Sequence, residues 1–113
     1  MIEYWHNPRC SKSRLGLALL EERGAEVTVR KYLEDAPSLE ELRAAQAAAG
    51  IPAIQMMRTG EKLFNELELS KSDADEVLLA AMAEHPILIE RPLALSDGKA
   101  VIGRPTEALL DLL

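Results

Sequence analysis

Three consecutive segments at the start of this chain constrain its fold more than any other feature. Ile2–His6 is a short apolar run. Lys12–Arg23 carries apolar residues at helical spacing and stops at Gly24. Val27–Tyr32 alternates Val27, Val29 and Lys31 with Thr28, Arg30 and Tyr32. The first predicts a buried strand, the second a helix closed by a left-handed glycine, and the third another strand. Strand, helix and strand with short connections predict a right-handed βαβ unit with parallel strands.

The middle third reads as helical. Ser38, with Glu41 three residues later, has the pattern of a capping box ahead of Leu39, Leu42 and the run Ala44–Ala49. Gly50 and Pro52 break that helix. Ala53–Arg58 and Glu61–Leu67 predict two short helices. Ser72 with Asp75 predicts the opening of another, Asp73–His85, which stops before Pro86. The pattern then returns to strands. Leu93–Leu95 and Lys99–Ile102 flank Ser96-Asp97-Gly98, and Asp-Gly between apolar runs is a hairpin signal. Pro105 suits the first position of a last helix, Thr106–Leu113. The order is βαβ, a helical module at about residues 37–84, then ββα. That is the layout of an α/β, thioredoxin-like fold, and 113 residues suit a single domain of this kind.

The turn between the first strand and helix carries Cys10, the only cysteine. A helix N-terminus presents unpaired N–H groups and a positive dipole end, which stabilise an anion. A thiol placed there ionises more readily, and the thiolate is the nucleophile. Pro8 precedes Cys10, His6 lies four residues upstream, and Lys12 and Arg14 follow within four residues. An inert, small core cysteine would need none of these neighbours. Cys10-Ser11-Lys12-Ser13 has the spacing of a Cys-x-x-Cys motif with serine at the second thiol. No internal disulfide can form, so any redox cycle borrows a thiol from glutathione or a partner protein.

Other chemistries fit less well. A phosphatase loop of the Cys-x5-Arg type would need arginine where this chain has Gly16. One cysteine and two histidines, with His85 remote, do not have metal-ligand spacing. The net charge of −6 and the lack of a basic, aromatic-interleaved face argue against nucleic acid. No basic leader precedes an apolar core at the start, and no apolar run approaches membrane-spanning length. The expectation is a cytoplasmic protein with no membrane association. Tyr4, Trp5, Met56 and Met57 read as packing residues, and His85 as a helix-end residue.

An oxyanion held at a thiol needs charge compensation, for which planar guanidinium groups suit. Outside the loop the candidates are Arg58, Arg91 and Arg104, the last two each preceding proline on either side of the expected hairpin.

Five blocks occur in order: His6-Asn7-Pro8-x-Cys10-x-x-Ser13-Arg14; Tyr32-Leu33-Glu34; Met57-Arg58; His85-Pro86-Ile87-Leu88-Ile89-Glu90-Arg91-Pro92; and Gly103-Arg104-Pro105-Thr106-Glu107. Together they closely resemble the glutaredoxin-coupled arsenate reductase family, in particular its small branch with Asn-Pro-Arg-Cys-Ser-Lys-Ser-Arg at the loop. The resemblance implies that Cys10 is the nucleophile, His6 helps set its ionisation, and Ser13 supports the thiolate by hydrogen bonding. It implies that Arg58, Arg91 and Arg104 bind the oxyanion, with Ser11, Lys12 and Arg14 as further substrate-binding residues of the loop, and that Pro92 is a cis-proline facing the cysteine. It further implies glutathione as co-substrate, glutaredoxin as reductant, and no bound cofactor or metal. Characterised arsenate reductases of this family carry Cys-Gly-Thr-Ser-Arg where this chain, like the small branch, has Cys10-Ser11-Lys12-Ser13-Arg14. Ser11 and Lys12 therefore leave open a related monothiol enzyme acting on another oxyanion or on glutathionylated substrates. A non-enzymatic transcriptional regulator is a third reading, weakened by the missing second thiol.

Overall fold

The N-terminal pattern produces one half of a four-stranded sheet. A computed structural model describes residues 1–113. Strand β1 (Ile2–Trp5) pairs in parallel with β2 (Val27–Arg30), from Ile2 opposite Val27 to Trp5 opposite Arg30. Helix α1 (Ser11–Glu22) connects them, and Gly24 leaves it at φ +77°, a conformation that costs glycine little. Strand β3 (Leu93–Ser96) runs antiparallel on the other side of β1, with β4 (Lys99–Ile102) beyond it, giving the order β2-β1-β3-β4. Asp97 and Gly98, both at positive φ, make the hairpin turn.

The period-2 alternation of β1 divides the core. Ile2 and Tyr4 face α1 and the C-terminal segment, packing with Leu20, Ala94 and Leu109. Trp5 faces the opposite layer and joins the larger cluster, which includes Leu42, Leu78, Met82 and Leu93. That layer comes from the segment between β2 and β3: α2 (Leu39–Ala49), a 3-10 turn at Ala53–Met56, α3 (Lys62–Glu66) and α4 (Asp75–Glu84). The expected capping box forms: Glu41 N–H donates to the Ser38 hydroxyl and Ser38 N–H to the Glu41 carboxylate, while Gly50 closes α2 at φ +65°.

Some expectations need correction. Ser72 does not cap α4; the cap position is Ala74, without a side-chain hydrogen bond. The Asp75 carboxylate instead accepts from Gln46 and from Ala53 N–H, tying α4 to α2. Tertiary contacts outcompete the local box. Pro105 stands before the last helical segment, not at its first position; its backbone is extended, and Thr106–Leu112 is a 3-10 helix. Ala53–Met56 is likewise 3-10 and shorter than the expected Ala53–Arg58. The peptide bonds Arg91–Pro92 and Arg104–Pro105 are both cis, the second not foreseen.

Candidate active site

Cys10 occupies the N-cap of α1, with extended backbone, and its carbonyl accepts the first helical hydrogen bond from Arg14 N–H at 3.0 Å. Cys10 as a whole is only 9% exposed. It closes no cap hydrogen bond of full geometry, but the backbone N–H groups of Ser13 and Lys12 face it. Arg91 donates from Nε to Cys10 Sγ at 3.2 Å. Burial opposes ionisation, yet these donors and the Arg91 charge outweigh it and hold the thiol below its ordinary pKa.

The loop beneath the thiol is tied by its own residues. Cys10 N–H donates to the Asn7 carbonyl at 3.0 Å, and Arg9 N–H to the Asn7 side chain at 3.1 Å. Ser13 is fully buried. Its hydroxyl accepts from Asn7 N–H at 3.0 Å and lies 2.7 Å from His6 Nδ1. The hydroxyl has a second lone pair and one proton left for Nδ1, so the imidazole tautomer sets which of the two donates. Burial, helped by Lys31 and Arg14, pulls the His6 pKa below its usual value, so the ring is neutral near pH 7. Tyr4 donates to the Ser13 carbonyl at 2.6 Å from behind the helix. Ser13 thus reaches the thiol by its backbone N–H, while its hydroxyl organises His6 and the loop.

The three arginines outside the loop line one cleft of about 380 Å³. The hairpin accounts for two. Leu93 pairs with Ile102, and continuing that register beyond the strand ends sets Arg91 opposite Arg104. Arg104 Nε donates to the Arg91 carbonyl at 2.9 Å. Arg58 arrives by another route: Met57 bridges Ile89, Arg58 N–H donates to the Leu88 carbonyl at 2.8 Å, and Glu90 N–H donates to the Met56 carbonyl at 2.7 Å. A surface groove of about 530 Å³ at Met1, Thr28 and Asp97 lies at the other end of the sheet and includes neither the cysteine nor an arginine.

The other loop residues divide. Arg14 is exposed and spends Nη1 on the Pro8 carbonyl at 2.7 Å, holding the loop. Ser11 and Lys12 are exposed beside the thiol. Pro92 packs against Gly16 of α1 and against Gly103, where an added Cβ would meet its Cγ at 3.3 and 2.8 Å. No three His, Cys, Asp or Glu side chains converge anywhere as a metal group.

A buried thiol tuned toward its anion, an arginine donating to it and two more arginines in the adjoining cleft form a site for a nucleophile and an oxyanion. Residues 5–112 match the ArsC family. The chain belongs to that family. It is 48% identical over 108 residues to an arsenate reductase of Neisseria meningitidis, spanning 94% of this chain and 92% of the relative. It is 43% identical over 111 residues to an arsenate reductase of Haemophilus influenzae, spanning 96% of each. The structure of an arsenate reductase from Vibrio cholerae superposes with TM-score 0.94 at 48% identity, covering 99% of this chain and 97% of that one.

Two residues of this ArsC-family site escaped sequence reasoning. Glu90 sits among the arginines, its carboxylate 3.1 Å from Arg104 Nε and 3.6 Å from Arg91 Nη1. With Glu61, 3.2 Å from Arg58 Nη2, it neutralises part of the cleft's positive charge. Tyr32 is buried with its phenol raised in pKa by burial, against the opposing fields of Arg91 and Arg58. Glu90 had a signal, since it immediately precedes one of the expected arginines; Tyr32 read as the end of a strand and as part of a resembling block, with no role at the site.

Proposed function

We propose that this chain is an arsenate reductase that uses Cys10 as nucleophile, glutathione as co-substrate and glutaredoxin as final reductant. The observation that carries the reading is the 3.2 Å contact from Arg91 Nε to Cys10 Sγ at the edge of a cleft lined by Arg58, Arg91 and Arg104. The names of the relatives support arsenate as the oxyanion.

The arginines hold the oxyanion and spread its charge. Cys10 thiolate forms a bond to arsenic and one oxygen leaves, taking protons to become water. Glutathione then supplies the second thiol. The two sulfurs give up two electrons and join as a Cys10–glutathione disulfide, while arsenic(V) becomes arsenic(III) and leaves as arsenite. A glutaredoxin thiolate takes the glutathionyl group and releases Cys10. Arg91 serves the thiolate and the incoming anion at once, His6 and Ser13 fix the loop that presents the thiol, and Pro92 packs against α1. Ser11 and Lys12 border the entry. A cytoplasmic setting suits this cycle because it supplies reduced glutathione.

The test is arsenate-dependent NADPH consumption with glutathione, glutathione reductase and glutaredoxin. Wild-type protein is expected to turn over, and Cys10→Ser to fail. Arg58→Ala is expected to raise the KM for arsenate or lower turnover with little change in folding. If wild type shows no turnover while its thiol is ionised at neutral pH, arsenate is the wrong substrate and glutathionylated proteins become the substrate to try.

A further inference from the structure

A reaction that joins an oxyanion and a second thiol at one cysteine needs a place for each. The arginine cleft supplies the first. A separate cleft of about 390 Å³ lies between the nucleophile loop and the turn after β2, lined by Asn7, Pro8, Arg9, Lys31, Leu33 and Glu34. It shares no residue with the arginine cleft. Its volume lies near the lower end of the roughly 300–1,000 Å³ typical of small-molecule sites.

Both walls are fixed by hydrogen bonds to the backbone. One is the loop held by Asn7 to Arg9 and by Arg14 to Pro8. The other is the turn after β2, where Glu34 and Asp35 N–H both donate to the Lys31 carbonyl, at 3.0 and 2.9 Å. The charges in this cleft are unspent. Arg58, Arg91 and Arg104 are all in ion pairs, but Arg9, Lys31 and Glu34 are in none. Leu33 is 42% exposed and adds an apolar surface between them. Arg9 is bonded directly to Cys10, and Lys31 is close enough for its charge to act on His6.

Two free cations, one free carboxylate and a small apolar face complement a short zwitterionic peptide with two carboxylates, one ammonium and an aliphatic or thiol centre. Glutathione has that charge pattern. Resting on the co-substrate reading above, we propose that the cleft between the nucleophile loop and the Lys31–Glu34 turn is the glutathione subsite. Arg9 and Lys31 receive the two carboxylates and Glu34 the ammonium, with the thiol directed toward Cys10. The oxyanion and the thiol therefore approach the nucleophile from separate clefts.

The test uses S-methylglutathione, whose sulfur is blocked, titrated into isotopically labelled Cys10→Ser protein and followed by NMR. The expected result is amide shifts centred on residues 7–9 and 31–34. Binding should weaken roughly three- to tenfold when Arg9→Ala and Lys31→Ala are added, the loss of two exposed ion pairs. In the coupled assay the same pair should raise the KM for glutathione by a larger factor than that for 2-mercaptoethanol, which carries no charges to place. Shifts centred on Arg58, Arg91 and Arg104, or unaltered binding by the double variant, would overturn the subsite. Arsenate turnover by wild type without shifts in the cleft would refute the subsite and leave arsenate reduction standing. Shifts in the cleft without arsenate turnover would support the subsite and remove arsenate.

Discussion

Replacing Arg91 with alanine removes the one side chain that donates to the Cys10 sulfur. The lost contact is a hydrogen bond from a guanidinium at 3.2 Å to the thiol of a residue that is 9% exposed. Hydrogen bonds to charged groups contribute about 1.5–3 kcal/mol net. At about 1.36 kcal/mol per pKa unit, that is roughly one to two units. Glu90, 3.6 Å from Arg91 Nη1, already offsets part of the arginine's field, which favours the lower end. The backbone N–H groups of Ser13 and Lys12 remain in the variant, so the thiol does not become ordinary. The assay is the rate of alkylation by iodoacetamide across pH. Wild type is expected to reach half its maximal rate below the ordinary thiol range, and Arg91→Ala about one unit higher. The rate at neutral pH then falls up to about tenfold, because the thiolate fraction falls with it. An unchanged midpoint would show that the helix terminus alone tunes the thiol and that the Arg91 contact is incidental.

Three further outcomes follow from other contacts. Ser13→Ala strips Asn7 N–H and His6 Nδ1 of their shared partner; it should cost about 1–3 kcal/mol, near 4–8 °C in Tm per kcal/mol, and move the alkylation midpoint less than Arg91→Ala does. Glu90→Gln removes a carboxylate from the arginine cleft and should lower the KM for arsenate, more so at low ionic strength; a raised KM would mean that Glu90 serves to hold Arg91 and Arg104 in place. Arg30 holds the Glu41 carboxyl at about 2, below its ordinary 4.5, so this pair stabilises the fold above about pH 4.5 and fades as pH falls toward 2. Glu41 is 46% exposed, so the amount is that of a surface pair, about 0.2–1 kcal/mol. Urea unfolding at pH 6 and pH 3 should show wild type losing more stability than Glu41→Gln.

The parts of the site that follow from local rules were legible in the sequence. Cys10 between an apolar run and a helical period defines a helix N-cap, and the structure puts it there. The Asp97-Gly98 turn fixes a register, and that register brings Arg91 against Arg104. Arg58 was legible as a candidate cation, but its route to the site was not, because a single backbone bridge between Met57 and Ile89 joins its segment there, and one bridge leaves no periodic trace. The mode of action of Ser13 was hidden for a related reason. Side chain and backbone of one residue serve different partners there, and a sequence pattern names the residue without saying which group acts. Ser72 misled because capping chemistry is local, whereas the Asp75 carboxylate is spent on α2 and Ala53.

The central claim is that Cys10 and glutathione together supply the two electrons that convert arsenate to arsenite. The most direct measurement is single-turnover mass spectrometry of the protein mixed with arsenate and glutathione in the absence of glutaredoxin. The account predicts one glutathionyl group on Cys10 for each arsenite released, and neither product when arsenate or glutathione is omitted. Glutathionylation of Cys10 that forms equally without arsenate, or that releases no arsenite, would contradict it.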